Sequence, residues 1–200
     1  MKRFTSSSQQ KMSMNYKKGV PSKINKDFLS RKVDAAFISS ITAKQYKHVN
    51  LAIVAKKEVR SVLVIPHADN VTDTASATSN VLARVLNVQG EVLIGDKALK
   101  YYLQNKPKID LAKEWNTKYN LPFVFALLCY HKDEKLYKQI QKNFLKQKIK
   151  IPQYILKQAS VQTNISQRDI LNYLEYISYH LDTKAKFGLK KFYKEANKLN

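Results

Sequence analysis

VRSVLVI, at residues 59–65, is an apolar run that ends at Pro66. Its length and its content of β-branched residues are typical of a buried strand. A second long apolar run occupies residues 123–129, and Arg84 is the single cation within residues 61–96. Two long strands around a charge-poor segment predict a chain that leaves one lobe, builds a second lobe and returns through paired hinge strands.

The predicted hinge strands divide the chain into two lobes. Residues 61–127 form an inserted second lobe that includes the hinge strands, and residues 1–60 and 128–200 form a discontinuous outer lobe. Short apolar runs alternate with helical patterns, which is typical of an α/β fold. Because the apolar runs lack strict alternation with polar residues, we expect a sheet that is covered on both faces.

Beyond residue 129 the sequence has a helical pattern. One segment begins with Ser166 and Asp169, which resemble a capping box. An apolar stripe follows, formed by Ile170, Leu171, Leu174, Ile177 and Leu181. The predicted fold class is therefore α/β, with two lobes and a helical C-terminal extension.

The 200-residue chain is strongly basic, with 36 Lys and Arg against 15 Asp and Glu and a formal net charge of +21. Lysine supplies most of this charge, whereas arginine is the residue that recognises phosphates and bases through paired hydrogen bonds. Lysine on helix faces usually indicates a solvated surface, so no nucleic-acid partner is expected. A basic RNA-associated protein stays open as an alternative, and a positive field also attracts a small dianionic substrate.

Scarce residue types exclude several classes of protein. The four glycines form neither the Rossmann nor the P-loop phosphate-binding motif. Cys129 is the single cysteine, which excludes an intramolecular disulfide and suits a reducing compartment. The four histidines lack metal-ligand spacing, so no metal is expected. Because no apolar run is long enough to span a bilayer, we expect a cytoplasmic protein.

A dense group of hydroxyls precedes a predicted helix. Thr74, Ser76, Thr78 and Ser79 place four hydroxyls within six residues. The N–H groups and the dipole at a helix N-terminus hold anions, and Ser and Thr side chains add donors. Plain helix capping needs one such side chain, so capping and a carboxylate or phosphate site both stay open.

Four more polar side chains stand at the ends of predicted elements or inside a strand. Ser39 and Ser40 follow an apolar strand, where ligands bind in open α/β sheets, although a turn also explains them. Ser61 is a lone hydroxyl within a strong strand, for which a hydrogen-bonded sheet serine is the simpler interpretation. Asp96 is either a helix cap or a ligand contact.

Six segments, in their order and spacing, resemble the chorismate dehydratase family of the futalosine route to menaquinone. The segments are DAAFISS at residues 34–40, SVLV at 61–64, SATSN at 76–80, LIGDKAL at 93–99, PFVFA at 122–126 and GLKKFY at 188–193. No single segment is specific to the family, but six in order are. The resemblance extends from about Lys17 to the C-terminus.

The resemblance implies a type II periplasmic-binding-protein-like fold that is used as a lyase. Two lobes would close on chorismate and remove a ring proton and the adjacent hydroxyl as water, giving 3-[(1-carboxyvinyl)oxy]benzoate. No metal and no organic cofactor is implied. The substrate-binding residues that the resemblance implies are Ser39, Ser40, Ser61, Ser76, Thr78, Ser79 and Asp96.

Those residues would divide into two groups around the substrate. Ser76, Thr78 and Ser79 would hold a carboxylate of chorismate, as the anion site before the helix suggests. The serines on the opposite side would orient the ring or its enolpyruvyl group. Asp96 is the weaker candidate.

The start of the chain departs from the family pattern. The family opens with a strand carrying Gly…Tyr-x-Asn, whose Asn is implicated in handling the ring proton, and residues 1–16 do not match it. We therefore expect the first strand of the outer lobe to be missing, and the catalytic group stays unassigned, with Ser61 as a weak candidate. The alternatives are a non-catalytic solute-binding-like module for a small dianion and a relative that performs the later naphthoate ring-forming step.

Overall fold

The computed structural model describes residues 17–147 and 150–199, which form a mixed α/β fold, as predicted. Their strands are β1 (Ala35–Ser39), β2 (His48–Ala55), β3 (Val62–Ile65), β4 (Glu91–Ile94), β5 (Ile109–Asp110), β6 (Phe123–Tyr130) and β7 (Ile177–His180). Their helices are α1 (Pro21–Leu29), α2 (Ser40–Ala43), α3 (Ala77–Leu86), α4 (Gly95–Leu103), α5 (Leu111–Tyr119), α6 (Glu134–Lys146), α7 (Gln153–Thr163), α8 (Gln167–Leu174) and α9 (Thr183–Ala196), with a 3₁₀ turn at Asn197–Leu199. The expectation that the first strand of the outer lobe is missing concerns residues 1–16, which lie outside the described residues.

The strands form two antiparallel sheets. The four-stranded sheet has the order β1-β6-β2-β7, and the three-stranded sheet has the order β4-β3-β5. The chain therefore leaves the first sheet after β2, builds the second sheet and returns in β6. The lobe boundary predicted at residue 127 falls inside β6, which pairs with β1 and β2. How the two sheets divide into lobes stays a prediction.

Apolar cores cover both faces of the four-stranded sheet, as predicted. On one face, Leu51 of β2 lies in a core that packs against Tyr137 of α6. On the other face, Val54 of β2 shares a core with Phe28 of α1 and Leu189 of α9. Burial on both faces explains why these strands are apolar throughout instead of alternating with polar residues.

A further core joins the three-stranded sheet to the rest of the chain. Trp115 of α5 is fully buried and meets Phe123 of β6 and Phe192 of α9 edge to face, at centroid distances of 5.3 and 6.0 Å. Leu82 of α3 lies in the same core. Because Leu82 anchors α3, the N-terminus of that helix is held at a fixed position.

Helix α9 lies directly against the start of β6. A Cβ atom at Gly188 would stand 2.1 Å from the carbonyl oxygen of Pro122, so this approach requires glycine. The Tyr193 hydroxyl of the same helix donates to the Ser40 carbonyl oxygen at 2.8 Å. These contacts make α9 part of the main core.

The C-terminal region is not all helical, and that part of the prediction is wrong. Helix α8 ends at Leu174, and Ile177–His180 form β7 on the edge of β2. The predicted stripe took Ile177 and Leu181 as one helical face. Pairing with β2 satisfies the backbone groups of both strands, and this gain outweighs the helical spacing of the apolar side chains.

The first predicted hinge strand is also shorter than expected, because β3 begins at Val62 and not at Val59. Arg60 has a φ of +63°, which lies outside the strand region. The N–H groups of Val59 and Arg60 donate to Asp110 Oδ2 at 3.0 and 2.6 Å. The other carboxylate oxygen of Asp110 caps α5, so this buried side chain fixes the starts of both elements.

Candidate active site

A cavity of about 1160 Å³ opens between the two sheets. Its walls include Ala126 of β6 and Ile53 of β2 from one sheet, and Val62 of β3 and Ile94 of β4 from the other. The hydroxyl side chains in its lining are Ser39, Ser61, Ser76, Ser79, Tyr137 and Tyr173. The lining also includes charged residues, which are Lys17, Lys18, Lys32, Asp34 and Asp133. Polar groups set among apolar walls are typical of a small-molecule site.

The N-terminus of α3 contributes two of these hydroxyls. Ser76 is the N-cap residue, and its Oγ accepts a hydrogen bond from the Ser79 N–H at 3.3 Å. The two side-chain oxygens lie 2.7 Å apart, and both residues are buried. The first turn of α3 contains no acidic residue. The serines at the start of this helix therefore cap it and also line the cavity. The positive end of the helix dipole favours an anion at this point.

Ser39, at the end of β1, is held by a second buried polar side chain. Asn25 of α1 donates from Nδ2 to Ser39 Oγ at 2.8 Å, and the Ser39 N–H donates to Asn25 Oδ1 at 3.0 Å. Each group thus satisfies the other in a buried place where an unpaired polar group would be costly. The pair fixes Ser39 in the cavity wall.

Ser61 meets a tyrosine from the C-terminal region. Its Oγ lies 2.9 Å from the hydroxyl of Tyr173 in α8, and both residues line the cavity. Burial raises the pKa of the Tyr173 phenol, and the Ser61 hydrogen bond opposes this only in part. Tyr173 is therefore a neutral hydroxyl over the ordinary pH range.

Three of the seven predicted site residues are not in the cavity lining. Thr78 Oγ1 lies 3.3 Å from Ser40 Oγ and accepts a hydrogen bond from the Ile41 N–H at 3.2 Å. Ser40 and Thr78 are almost completely buried, so they join α2 to α3 and do not face the cavity. Asp96 is exposed in the first turn of α4, whereas its neighbour Gly95 lines the cavity.

Two residues at the site were missed by the sequence analysis. Asn25 shares the buried side of α1 with Phe28, three residues later, and a polar residue at this spacing was the available signal. Tyr173 lies between Leu171 and Leu174 of the predicted apolar stripe but is not one of its residues. Neither residue stands in a motif of its own.

Cys129 and His131, in the described part of the chain, have structural surroundings and do not line the cavity. Cys129 is buried in β6, and burial raises the pKa of its thiol to about 12. His131 stacks on Phe28 at a centroid distance of 4.0 Å and donates from Nε2 to the Phe28 carbonyl oxygen at 2.8 Å. Among residues 17–147 and 150–199, no three His, Cys, Asp or Glu side chains are placed to hold a metal ion.

The fold and the site together define a two-sheet α/β protein with a hydroxyl-lined cavity. A family model described as menaquinone biosynthesis matches residues 87–198. The chain belongs to this menaquinone biosynthesis family.

Comparisons with individual proteins agree with the family. The chain is 50% identical over 194 residues to a chorismate dehydratase from Campylobacter jejuni, covering 95% of this chain and 87% of that protein. Its fold resembles the crystal structure of protein AF1704 from Archaeoglobus fulgidus, with a TM-score of 0.60 and 11% identity, over 90% of this chain and 84% of that one. No helix in the described part of the chain is long and apolar enough to cross a membrane.

Proposed function

We propose that this chain is a chorismate dehydratase of menaquinone biosynthesis. The observation that carries the proposal is the 50% identity to a chorismate dehydratase over 95% of the chain. In the reaction, chorismate loses a ring proton and the adjacent hydroxyl as one water, and the C–H electron pair completes the aromatic ring. The product is 3-[(1-carboxyvinyl)oxy]benzoate. We place the reaction in the cytoplasm, where a buried thiol such as Cys129 stays reduced.

The cavity supplies two groups of hydroxyls for the substrate. Ser76 and Ser79, with the N-terminus of α3, hold a carboxylate of chorismate. Ser39 and Ser61 line another part of the wall and orient the ring or its enolpyruvyl group. We assign no substrate contact to the remaining predicted residues, Ser40, Thr78 and Asp96, because they lie outside the lining.

The two sheets define the lobes of a type II periplasmic-binding-protein-like fold in this proposal. The inserted lobe is the segment predicted at residues 61–127, less the part of β6 that pairs with β1 and β2. The cavity takes its walls from both sheets, which supports a site that closes on its ligand. Closure excludes water and strengthens each polar contact inside.

Aromatisation supplies much of the driving force, so the protein needs to contribute mainly positioning. The walls of the cavity hold the ring, and fixed hydroxyls meet its oxygen atoms. Ser61 is the candidate to donate a hydrogen bond to an oxygen of the substrate. The group that accepts the ring proton stays unassigned.

The direct test is turnover of chorismate by the full chain, followed by ultraviolet absorbance and by mass. A product lighter than chorismate by one water, with aromatic absorbance, is expected. The double variant Ser76→Ala/Ser79→Ala should lose most of the turnover, whereas Ser22→Ala, at an exposed serine outside the cavity, should not. Binding of chorismate without turnover would replace this proposal with a non-catalytic module for a small dianion.

A further inference from the structure

The backbone around Ser61 is fixed from two sides. The carbonyl oxygen of Ser61 accepts a hydrogen bond from the Gly95 N–H at 2.8 Å, across the junction of β4 and α4. The preceding residue, Arg60, is held by its N–H on the buried carboxylate of Asp110 at 2.6 Å. The main freedom left to Ser61 is therefore the direction of its hydroxyl group.

That hydroxyl has a partner in α8, far along the sequence. The Tyr173 hydroxyl lies 2.9 Å from Ser61 Oγ, across 112 residues of chain. A phenol is more acidic than an aliphatic hydroxyl, so Tyr173 is the better donor of the two. When Tyr173 donates, the Ser61 proton is free to point into the cavity.

A second tyrosine holds the same part of the chain independently. Tyr176, which follows α8, accepts a hydrogen bond from Arg60 Nη2. The Arg60 guanidinium also stacks on the Tyr176 ring at 3.8 Å and pairs with Glu58 at 2.8 Å. Tyr173 and Tyr176 thus hold the consecutive residues Ser61 and Arg60. We therefore expect the end of α8 to stay in place when the bond between Tyr173 and Ser61 is removed.

We propose that Tyr173 is a positioning residue, which donates to Ser61 Oγ and directs the Ser61 proton at an oxygen of the bound substrate. This inference rests on the proposed function, because Ser61 must act on chorismate for its orientation to matter. Tyr173 acts through Ser61, and its own contribution is to hold one rotamer of the serine hydroxyl. Its neutral phenol suits this role, since a phenolate would accept a hydrogen bond from Ser61 and turn the serine proton away from the substrate.

A double-mutant cycle tests the proposal with kcat and KM as separate readouts. Tyr173→Phe keeps the ring and removes the hydroxyl, so kcat for chorismate should fall about tenfold, the value of one hydrogen bond. KM should change by less than about twofold, because carboxylate binding is left intact. In the Ser61→Ala background, the same substitution should cause no further loss, since its target is gone.

The matched control is Tyr101→Phe, at a tyrosine of α4 whose hydroxyl donates to the Pro107 carbonyl oxygen at 3.2 Å and which does not line the cavity. It should leave kcat unchanged. The positioning role is overturned if Tyr173→Phe keeps the kcat of the wild type, or if it lowers kcat equally with and without Ser61. In either case, turnover of chorismate by the wild type upholds the dehydratase function. Absence of turnover by the wild type overturns the dehydratase function, and this inference falls with it.

Discussion

Ser76 and Ser79 show how one pair of side chains can serve the helix and a ligand together. Their oxygens are 2.7 Å apart, and only one of the two protons is needed for the bond between them. The second proton is available to an anion in the cavity. The helix N-terminus adds its dipole to the same point, so a carboxylate gains a charge-assisted hydrogen bond there.

Removal of one of these hydroxyls should weaken substrate binding. We expect Ser79→Ala to reduce the affinity for chorismate by about 1–3 kcal/mol, the usual range for a hydrogen bond to a charged group. Equilibrium titration with chorismate measures the change. Because Ser76 still caps α3 in this variant, the free energy of unfolding should change much less than the affinity.

Thr78→Val is the matched control for that experiment. Thr78 is one residue away and buried, but it faces Ser40 and not the cavity. Its loss should cost about 1 kcal/mol of folding stability and leave the affinity for chorismate unchanged. Equal affinities in Ser79→Ala and wild type would refute the carboxylate assignment.

The sequence could identify these hydroxyls as a group but could not sort them. Ser76 and Thr78 are two residues apart on one helix turn, and nothing local states which side meets a cavity. The bond between Thr78 and Ser40 spans 38 residues, and that of Tyr173 with Ser61 spans 112. Contacts of this kind depend on how α3 and α8 pack, so they follow from the tertiary structure alone.

Among the elements, those fixed by local contacts were more predictable than those that depend on a distant partner. Ser166 accepts a hydrogen bond from the Asp169 N–H at 3.0 Å, which confirms that this residue caps α8. A cap involves neighbours within one turn, so the local sequence contains the whole interaction. Strand β7 depends on a distant partner, β2, and its apolar residues also fit a helix. The local pattern could not decide between these structures.

The contact of α9 with β6 makes Gly188→Ala an informative substitution. Alanine is a better helix former than glycine by about 1 kcal/mol, so an unhindered site would gain stability. Here the new methyl group would stand 2.1 Å from a backbone oxygen that cannot rotate away. Overpacking outweighs the helical gain, and we expect a net loss of about 1–3 kcal/mol in the free energy of unfolding measured with urea.

The control is Lys190→Ala, on the exposed side of α9, which should change stability by less than about 0.5 kcal/mol. If Gly188→Ala is as stable as the wild type or more stable, the tight contact is ruled out.

The end of α9 also has a pH-dependent contribution to stability. Glu195 pairs with Lys191 and Lys198, each at 2.8 Å, and these hydrogen bonds lower the pKa of Glu195 to about 2. A carboxylate with a lowered pKa stabilises the fold above its ordinary pKa of 4.5, and the benefit is lost as the pH falls towards 2. Glu195→Gln should therefore lower the melting temperature at pH values above 4.5, and the difference from wild type should shrink on acidification.

The control for this pH series is Glu175→Gln, which removes the same charge at an exposed position. It accounts for the general effect of one more positive charge on a basic protein. A specific role for the two lysine pairs would be excluded by the following result: Glu195→Gln and the control each shift the melting temperature from that of the wild type by the same amount at all pH values.

At the scale of the whole molecule, the net charge of +21 acts against the compact state. Lysines on the surface repel one another, and folding brings them closer together. Salt screens this repulsion over about 10 Å at 0.1 M. We expect the melting temperature to rise when sodium chloride is increased from about 10 to about 200 mM. A constant or falling melting temperature would show that attractive ion pairs dominate the surface instead.

The cavity itself could be predicted only in outline. Charge-poor residues between two long strands predicted that the chain leaves one part of the fold and returns to it. The two-sheet topology agrees with this path of the chain. The exact return point could not be predicted, because β6 is apolar along its whole length and fits either sheet. Asp110, which fixes the start of β3 from 50 residues away, was visible in the sequence only as the cap of α5.

Strand β6 contributes to the cores of both sheets. Phe123 belongs to the core around Trp115, and Val124 and Leu127 belong to the core beneath α1 and α9. One continuous strand cannot lose its packing at one end and keep it unchanged at the other. The two sheets therefore cannot melt separately, and we expect the protein to unfold as a single cooperative unit.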